Sequence, residues 1–254
     1  MNSWVNEFLR HGNTPALIHT LSSSYGNFRM LSQLTGNNQM PRPETLAYLL
    51  QRRDITTAQR QTILEILGDQ NPTDRIMSMW SNAQKYHLMW QDFGAAPTVS
   101  LIETHMTSLN QAVGHPLPEA IEVVRGLGDV GFMTVDNFGT PLGNSGDPRN
   151  LLGTVQTEQG YMSSSLGATP PANFDRAYRM ELELPPGTTG IWMGHRSAYP
   201  DQRELILPSG TRYQVTAVIP NPPGDQYSRN GAPGGRVQWL IRARVLRPEE
   251  IPGA

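Results

Sequence analysis

The sequence predicts an α+β protein in which a helical region precedes a mixed or antiparallel β-sandwich. Apolar residues recur at helical spacing up to about residue 114 and alternate with polar residues beyond it. The chain also contains 24 Gly and 21 Pro, which favour turns and loops, above all in segments 139–150 and 221–235. Strands joined by loops without intervening helices are typical of a sandwich rather than of alternating βαβ units.

Helical spacing and capping residues predict six helices in the first part of the chain. The first two contain residues 4–9 and 17–21. Pro43 suits the first turn of a third helix, and Thr56 with Gln59 forms a capping box for a fourth. A sixth covers residues 98–113. Asn71 caps the longer fifth helix, whose apolar stripe we expect in the core: Ile76, Met77, Trp80, Ala83, His87 and Trp90.

Two-residue alternation predicts the strands of the second part. They cover residues 121–125, 178–184, 190–193, 205–207, 213–219 and 237–246, and the Pro185-Pro186-Gly187 turn closes the second of them. We place the domain boundary in 92–97, because only two prolines separate the last helix from the first strand. This gives a helical region, 1–95, and a second domain, 96–254.

Composition disfavours a nucleic-acid partner, a metal site and a membrane span. With 20 basic and 22 acidic residues, the net charge of −2 disfavours a nucleic-acid partner. Lys85 is the only lysine, which fits either a GC-rich genome or an effector depleted of sites for ubiquitination by a host. The chain has no Cys, and its six His lack metal-ligand spacing, so we expect no metal. No apolar run approaches the roughly 18 residues of a membrane span, and no classical signal peptide is visible.

Three polar features lie at the edges of predicted strands. Arg125 ends one strand just before Gly126, and Ser163-Ser164-Ser165 follows Tyr161-Met162. In the third, Gln202 and Glu204 precede the strand 205–207, and in an extended chain they share a face that Arg203 does not. Each feature alone has an ordinary explanation as a surface ion pair, a loop or a solvated carboxylate.

Together and in this order, the three features resemble the R-S-E class of bacterial mono-ADP-ribosyltransferases, the C3-like and binary-toxin-like enzymes. That class has Arg after an aliphatic strand, then aromatic-x-Ser-Thr-Ser, then aromatic-x-x-(Gln or Glu)-x-Glu. The chain departs from it at Ser164, where the family has Thr, and keeps the hydroxyl. The resemblance covers roughly residues 98–247 and implies an ADP-ribosyltransferase-type β core with NAD as co-substrate.

The resemblance also implies roles for individual residues. Arg125 anchors the NAD pyrophosphate, for which a planar guanidinium is suited, and Gly126 lets the backbone approach the ligand. Glu204 is the catalytic carboxylate, which stabilises positive charge on the ribose and accepts a hydrogen bond from a ribose hydroxyl. Ser163 holds Glu204 and lines the nicotinamide pocket. Ser165 and Phe174 complete the expected NAD-binding set: Phe174 either stacks on nicotinamide or packs in the core.

Gln202 and Tyr199 are expected to face the acceptor. In the family, Glu at the Gln202 position accompanies arginine acceptors, whereas Gln is no strong base. We therefore expect an Asn, Gln or Thr acceptor in a host protein such as a Rho-like GTPase or ubiquitin. The resemblance further implies a secreted or translocated monomer acting in the host cytoplasm.

Several alternatives stay open. Water or a nucleobase could be the acceptor, which would make the chain an NAD glycohydrolase or a nucleic-acid-modifying enzyme. A catalytically inactive fold would serve as a binding module. The N-terminal helices fit substrate docking and a purely structural role equally well.

Overall fold

The computed structural model describes residues 2–197, 199–229 and 235–251. Contacts within the chain divide it into two compact units, 1–105 and 106–254. The division falls inside the sixth helix, whereas we place the domain boundary before that helix. Among the described residues, no helix has the length and apolar character needed to cross a membrane.

Six α-helices lie where helical spacing predicts them. They are α1 (Asn2–His11), α2 (Thr14–Thr35), α3 (Pro43–Leu49), α4 (Thr57–Leu67), α5 (Pro72–Phe93) and α6 (Val99–Ala112). The capping box is present: the Gln59 amide donates to Thr56 Oγ1 at 3.2 Å, and the Thr56 amide donates to Gln59 Oε1 at 2.8 Å. Asn71 caps α5 by accepting from the amide of Asp74. These local bonds satisfy amides that helix starts leave free.

The apolar face of α5 differs from the expected stripe. Met77 and Trp90 are about half exposed, and the buried positions are Ile76, Met79, Ala83, Tyr86 and Met89. Both stripes have three- and four-residue spacing, so periodicity alone does not choose between them. The buried one packs into a core with α2, α3 and α4 that contains Leu31, Leu46, Leu49, Ile55, Ile63, Ile66, Ile76 and Met79.

The described residues of the second unit form eight strands in one mixed sheet. They are β1 (Ile121–Leu127), β2 (Val155–Thr157), β3 (Met162–Ser165), β4 (Tyr178–Leu184), β5 (Ile191–Trp192), β6 (Glu204–Leu207), β7 (Arg212–Pro220) and β8 (Trp239–Val245). Their order is β2-β7-β8-β4-β1-β3-β6-β5, and only the β4–β8 pair is parallel among those described. The predicted α+β class is confirmed, but alternation predicted neither the three-residue β2 nor the four-residue β3.

One apolar core contains side chains from strands on both sides of the strand order. It collects side chains from β1, β4, β7 and β8 together with Met162 of β3 and Leu205 and Leu207 of β6. Side chains from both parts of the strand order thus share one interior. The end of α6 joins this unit at β3, where the Tyr161 hydroxyl donates to Asn110 Oδ1 at 2.6 Å.

Candidate active site

The sheet has two parts, the strands β2-β7-β8-β4-β1 and the strands β3-β6-β5, and among the described residues their backbones pair at a single position. β1 pairs with β4 along all seven of its residues, but with β3 only at Val124 and Ser165. Strands that pair at one position diverge on either side of it. The divergence leaves a cleft of about 200 Å³ between the ends of β1 and β3.

The cleft brings together nearly all of the residues that the motifs singled out. Its walls are formed by Val124, Arg125, Gly126, Ser163, Ser164, Ser165, Pro170, Pro171, Phe174, Gln202 and Glu204. Tyr199 is the one predicted site residue outside this lining, and its side chain is 67 % exposed. Arg203 is also outside the lining, so Gln202 and Glu204 do share a space that Arg203 does not.

Ser163 and Glu204 form the central contact of the cleft. β3 and β6 pair antiparallel with Ser165 opposite Glu204, which places Ser163 and Glu204 on one face of the sheet. The Ser163 hydroxyl donates to Glu204 Oε1 at 2.5 Å. The other two serines bind backbone instead: Ser164 donates to the carbonyl of Leu205 and Ser165 to that of Gln202. The serine strand therefore fixes both the Glu204 carboxylate and the turn before it.

That turn reaches its geometry in a way that extended alternation does not describe. Residues Pro200–Gln202 form a 3-10 turn, and Arg203 has a φ of 46°, a left-handed conformation that is uncommon for a residue with a side chain. The Arg203 guanidinium lies over Gly167, where a Cβ would be only 2.6 Å from Nη2. The reversal at Arg203, rather than a continuous strand, brings Gln202 and Glu204 to the same cleft.

Arg125 is held by a carboxylate that the motifs did not indicate. Its Nη1 lies 3.3 Å from Oε2 of Glu158, and the two side chains are 20 % and 8 % exposed. The other oxygen of Glu158 accepts the amide of Gly160, three residues before Ser163. A glutamate in the turn-like sequence Thr157-Glu158-Gln159-Gly160 looks solvated, so sequence offered no signal for its burial.

Gly126 provides space for a neighbouring segment of the chain. A Cβ at this position would lie 1.7 Å from the carbonyl oxygen of Phe174. That carbonyl belongs to the 3-10 turn Ala172–Phe174, which presents the half-exposed Phe174 ring to the cleft. Gly126 lines the cleft, and its missing side chain is what lets this turn pack against β1.

The charges of Arg125 and Glu158 also act on Tyr213 in β7. Burial raises the pKa of this phenol to about 12, with Arg125 lowering it and Glu158 raising it. The site thus contains two charged groups that are each held by a partner. The Arg125 guanidinium of β1 pairs with the buried Glu158, and the Glu204 carboxylate of β6 accepts from Ser163.

Comparison with known families decides what kind of site this is. The family model for the ADP-ribosyltransferase exoenzyme matches residues 96–245. The chain belongs to this family of ADP-ribosyltransferase toxins. It is therefore an NAD-dependent mono-ADP-ribosyltransferase, and the family predicted from the three motifs is confirmed. No curated protein sequence matches the chain.

Comparison with solved structures finds several ADP-ribosyltransferases, each at a TM-score below 0.5. Plx2a, a toxin from Paenibacillus larvae, is 23 % identical, with a TM-score of 0.43 over 66 % of this chain and 81 % of that one. C3stau2 from S. aureus, solved with NAD, is also 23 % identical, with a TM-score of 0.43 over 59 % and 73 %. The C2-I component of the Clostridium botulinum C2-toxin is 17 % identical, with a TM-score of 0.44 over 62 % and 39 %.

NAD is the co-substrate that this family uses, and the donor set of the cleft suits it. Among the described residues, none accepts a hydrogen bond from Nε or Nη2 of Arg125, so these groups can meet phosphate oxygens. Phe174 offers an exposed aromatic face for a planar ring.

Proposed function

We propose that the chain transfers ADP-ribose from NAD to a non-arginine side chain, Asn, Gln or Thr, of a host protein. Candidate acceptors are a Rho-like GTPase and ubiquitin. The observation that carries the catalytic part is the Ser163–Glu204 contact in the same cleft as Arg125. In this proposal the protein is secreted or translocated and acts in the host cytoplasm as a monomer.

Glu204 acts on the ribose next to nicotinamide. The bond between the ribose C1′ and the nicotinamide nitrogen breaks, its electron pair leaves with nicotinamide, and positive charge develops on the sugar. A carboxylate near that charge stabilises the transition state more than the ground state. Ser163 occupies one oxygen of Glu204 and so orients the other, which is left to accept a ribose hydroxyl.

Arg125 and Phe174 hold the leaving part and the phosphates. The guanidinium binds the pyrophosphate through the N–H groups that Glu158 does not use. Phe174 stacks on the nicotinamide ring, and Gly126 allows the turn that carries it to approach β1. Ser165 contributes indirectly, because its hydroxyl holds the carbonyl of Gln202.

Gln202 and Tyr199 face the acceptor. Gln202 lines the cleft beside Glu204, and its amide can bind an amide or hydroxyl side chain but does not deprotonate a guanidinium. Tyr199, exposed just outside the cleft, suits contact with a protein surface. The acceptor nucleophile attacks C1′ and loses its proton to solvent. The chain's negative net charge favours a protein acceptor over DNA or RNA.

The direct test is incubation of host lysate with labelled NAD. We expect wild-type protein to label a host protein and Glu204→Gln to reduce labelling by at least about 100-fold, the scale for losing one electrostatic transition-state contact. Mass spectrometry of the labelled protein identifies the acceptor residue. The matched control is Glu183→Gln, which removes an exposed carboxylate of β4 outside the cleft and should leave labelling unchanged.

Four outcomes separate the alternatives. Undiminished labelling by a folded Glu204→Gln variant would refute the proposed role of Glu204. Free ADP-ribose formed at full rate without a protein acceptor would identify a glycohydrolase. A wild-type protein that shows no affinity for NAD in a titration would be a binding module. Modification of arginine would overturn the role given to Gln202.

A further inference from the structure

We propose that Glu158 is a positioning residue for NAD, which orients the Arg125 guanidinium toward the pyrophosphate. The inference rests on the proposed function, because it assigns Arg125 to the phosphates. It adds a residue that lies outside all three motifs and that does not line the cleft.

The geometry of the Arg125–Glu158 pair leaves one edge of the guanidinium available to phosphate. Oε2 of Glu158 lies 3.3 Å from Nη1 of Arg125, so the carboxylate contacts one corner of the planar guanidinium. Nε and Nη2 carry the other N–H groups, and no described residue accepts from them. A guanidinium fixed at one corner loses little further freedom when its opposite edge binds phosphate.

Glu158 is itself fixed in place. Its side chain is 8 % exposed, and Oε1 accepts the amide of Gly160 at 3.2 Å. Its backbone is held at both ends as well, because its amide donates to Thr211 and its carbonyl accepts from Gly210. A carboxylate held at this many points can hold a partner in turn.

Glu158 also lies close to the serine strand along the chain. It precedes β3 by a few residues, and β3 carries Ser163, which binds Glu204. Glu158 therefore connects the Arg125 anchor on β1 to the strand that orients the catalytic carboxylate.

The test is the dissociation constant for NAD, measured by calorimetry on the full chain. We expect Glu158→Ala to weaken NAD binding about tenfold, equivalent to about 1.4 kcal/mol. Glu158→Gln keeps an oxygen acceptor for Nη1, so we expect it to restore part of the affinity. The turnover number kcat should stay within about twofold in both variants, because Glu158 acts on binding and does not contact the reacting atoms.

The matched control is Glu250→Gln. Glu250 also accepts from an arginine, Nη1 of Arg244 at 3.0 Å, and from a backbone amide, that of Arg247 at 2.9 Å. It lies outside the cleft. We therefore expect its substitution to lower thermal stability without changing NAD affinity.

A double-variant cycle with Arg125→Lys identifies the route of the effect. If Glu158 acts through Arg125, Glu158→Gln adds nothing to the loss of affinity in the Arg125→Lys protein. Additive losses, or unchanged NAD affinity in a folded Glu158→Ala protein, would overturn the inference. Tighter NAD binding by Glu158→Gln would also overturn it, since the carboxylate would then compete with phosphate. A wild-type protein that binds NAD without transferring ADP-ribose refutes the proposed function alone.

Discussion

Tyr213 shows how a single residue of the site should affect the stability of the protein. The phenol is 4 % exposed, and burial raises its pKa to about 12 from an ordinary value near 10. Between these values the unfolded chain has lost the phenol proton and the folded protein has kept it. Its contribution to stability is therefore complete below about pH 10 and is lost as pH rises toward 12.

We expect Tyr213→Phe to reduce this alkaline loss. A shift of two units corresponds to about 2.7 kcal/mol of stability, which the wild type loses over that range and the variant does not. Urea unfolding at pH 9, 10 and 11 measures the first half of this difference, about 1.4 kcal/mol by pH 11. Parallel losses of stability in the two proteins would show that the phenol is not protected in the folded state.

Among single residues of the site, the sequence predicts those that belong to a recognisable motif. The cleft-lining positions of Arg125, Ser163 and Glu204 follow from their strands, because alternation decides which face each side chain takes. Glu158 could not be predicted in this way. Its burial depends on Arg125, thirty-three positions away, and no local pattern marks such a pair.

At the scale of elements, the contact between Gly126 and the turn Ala172–Phe174 decides the shape of the cleft. An alanine at this position would place its Cβ 1.7 Å from the Phe174 carbonyl, so the turn would have to move. We expect Gly126→Ala to cost about 1–3 kcal/mol of stability, the usual range for overpacking, and to weaken NAD binding. Urea unfolding and calorimetric titration measure the two effects.

Gly128→Ala is the matched control, because a Cβ there meets nothing within 4 Å and its backbone has no positive φ. We expect this variant to match the wild type in both measurements. If Gly126→Ala also behaved as the wild type, the packing of the turn against β1 would not be what positions Phe174.

Elements were predicted best where local chemistry fixes them. The capping box at Thr56 and the Pro-Gly turn after β4 both lie at the predicted element boundaries. The buried stripe of α5 was predicted only in part: Ile76 and Ala83 are buried as expected, but Met77 and Trp90 are not. Two faces of that helix carry apolar residues, and the choice between them depends on α2 and α4. The turn before Glu204 was incomplete for a similar reason: the left-handed Arg203 is supported by Gly167, which is distant in sequence.

At the scale of the whole molecule, each unit has a core of its own. The core that includes β1 draws only on residues after 106, and the core that includes Ile63 draws only on residues before 105. We expect a variant of residues 96–254, which keeps α6, to fold and to release nicotinamide from NAD. If the helices 1–95 dock the acceptor, labelling of the host protein should fall at least tenfold while NAD affinity stays the same.

The ratio of protein labelling to nicotinamide release is the quantity to compare between the truncated and full-length proteins. An unchanged ratio would leave the N-terminal helices without a part in acceptor recognition and favour a structural role. The Glu204→Gln substitution in the truncated protein gives the background of both assays.

The single pairing of Val124 with Ser165 has a mechanical consequence for the enzyme. Arg125 belongs to the strands on one side of that pairing, and Glu204 belongs to the strands on the other. A dinucleotide that contacts both residues therefore acts as a cross-link between two parts of the sheet that the backbone joins at one point. Part of its binding energy should then reduce the relative motion of these two parts of the sheet. The substrate would thereby help to hold rigid the site in which its own glycosidic bond breaks.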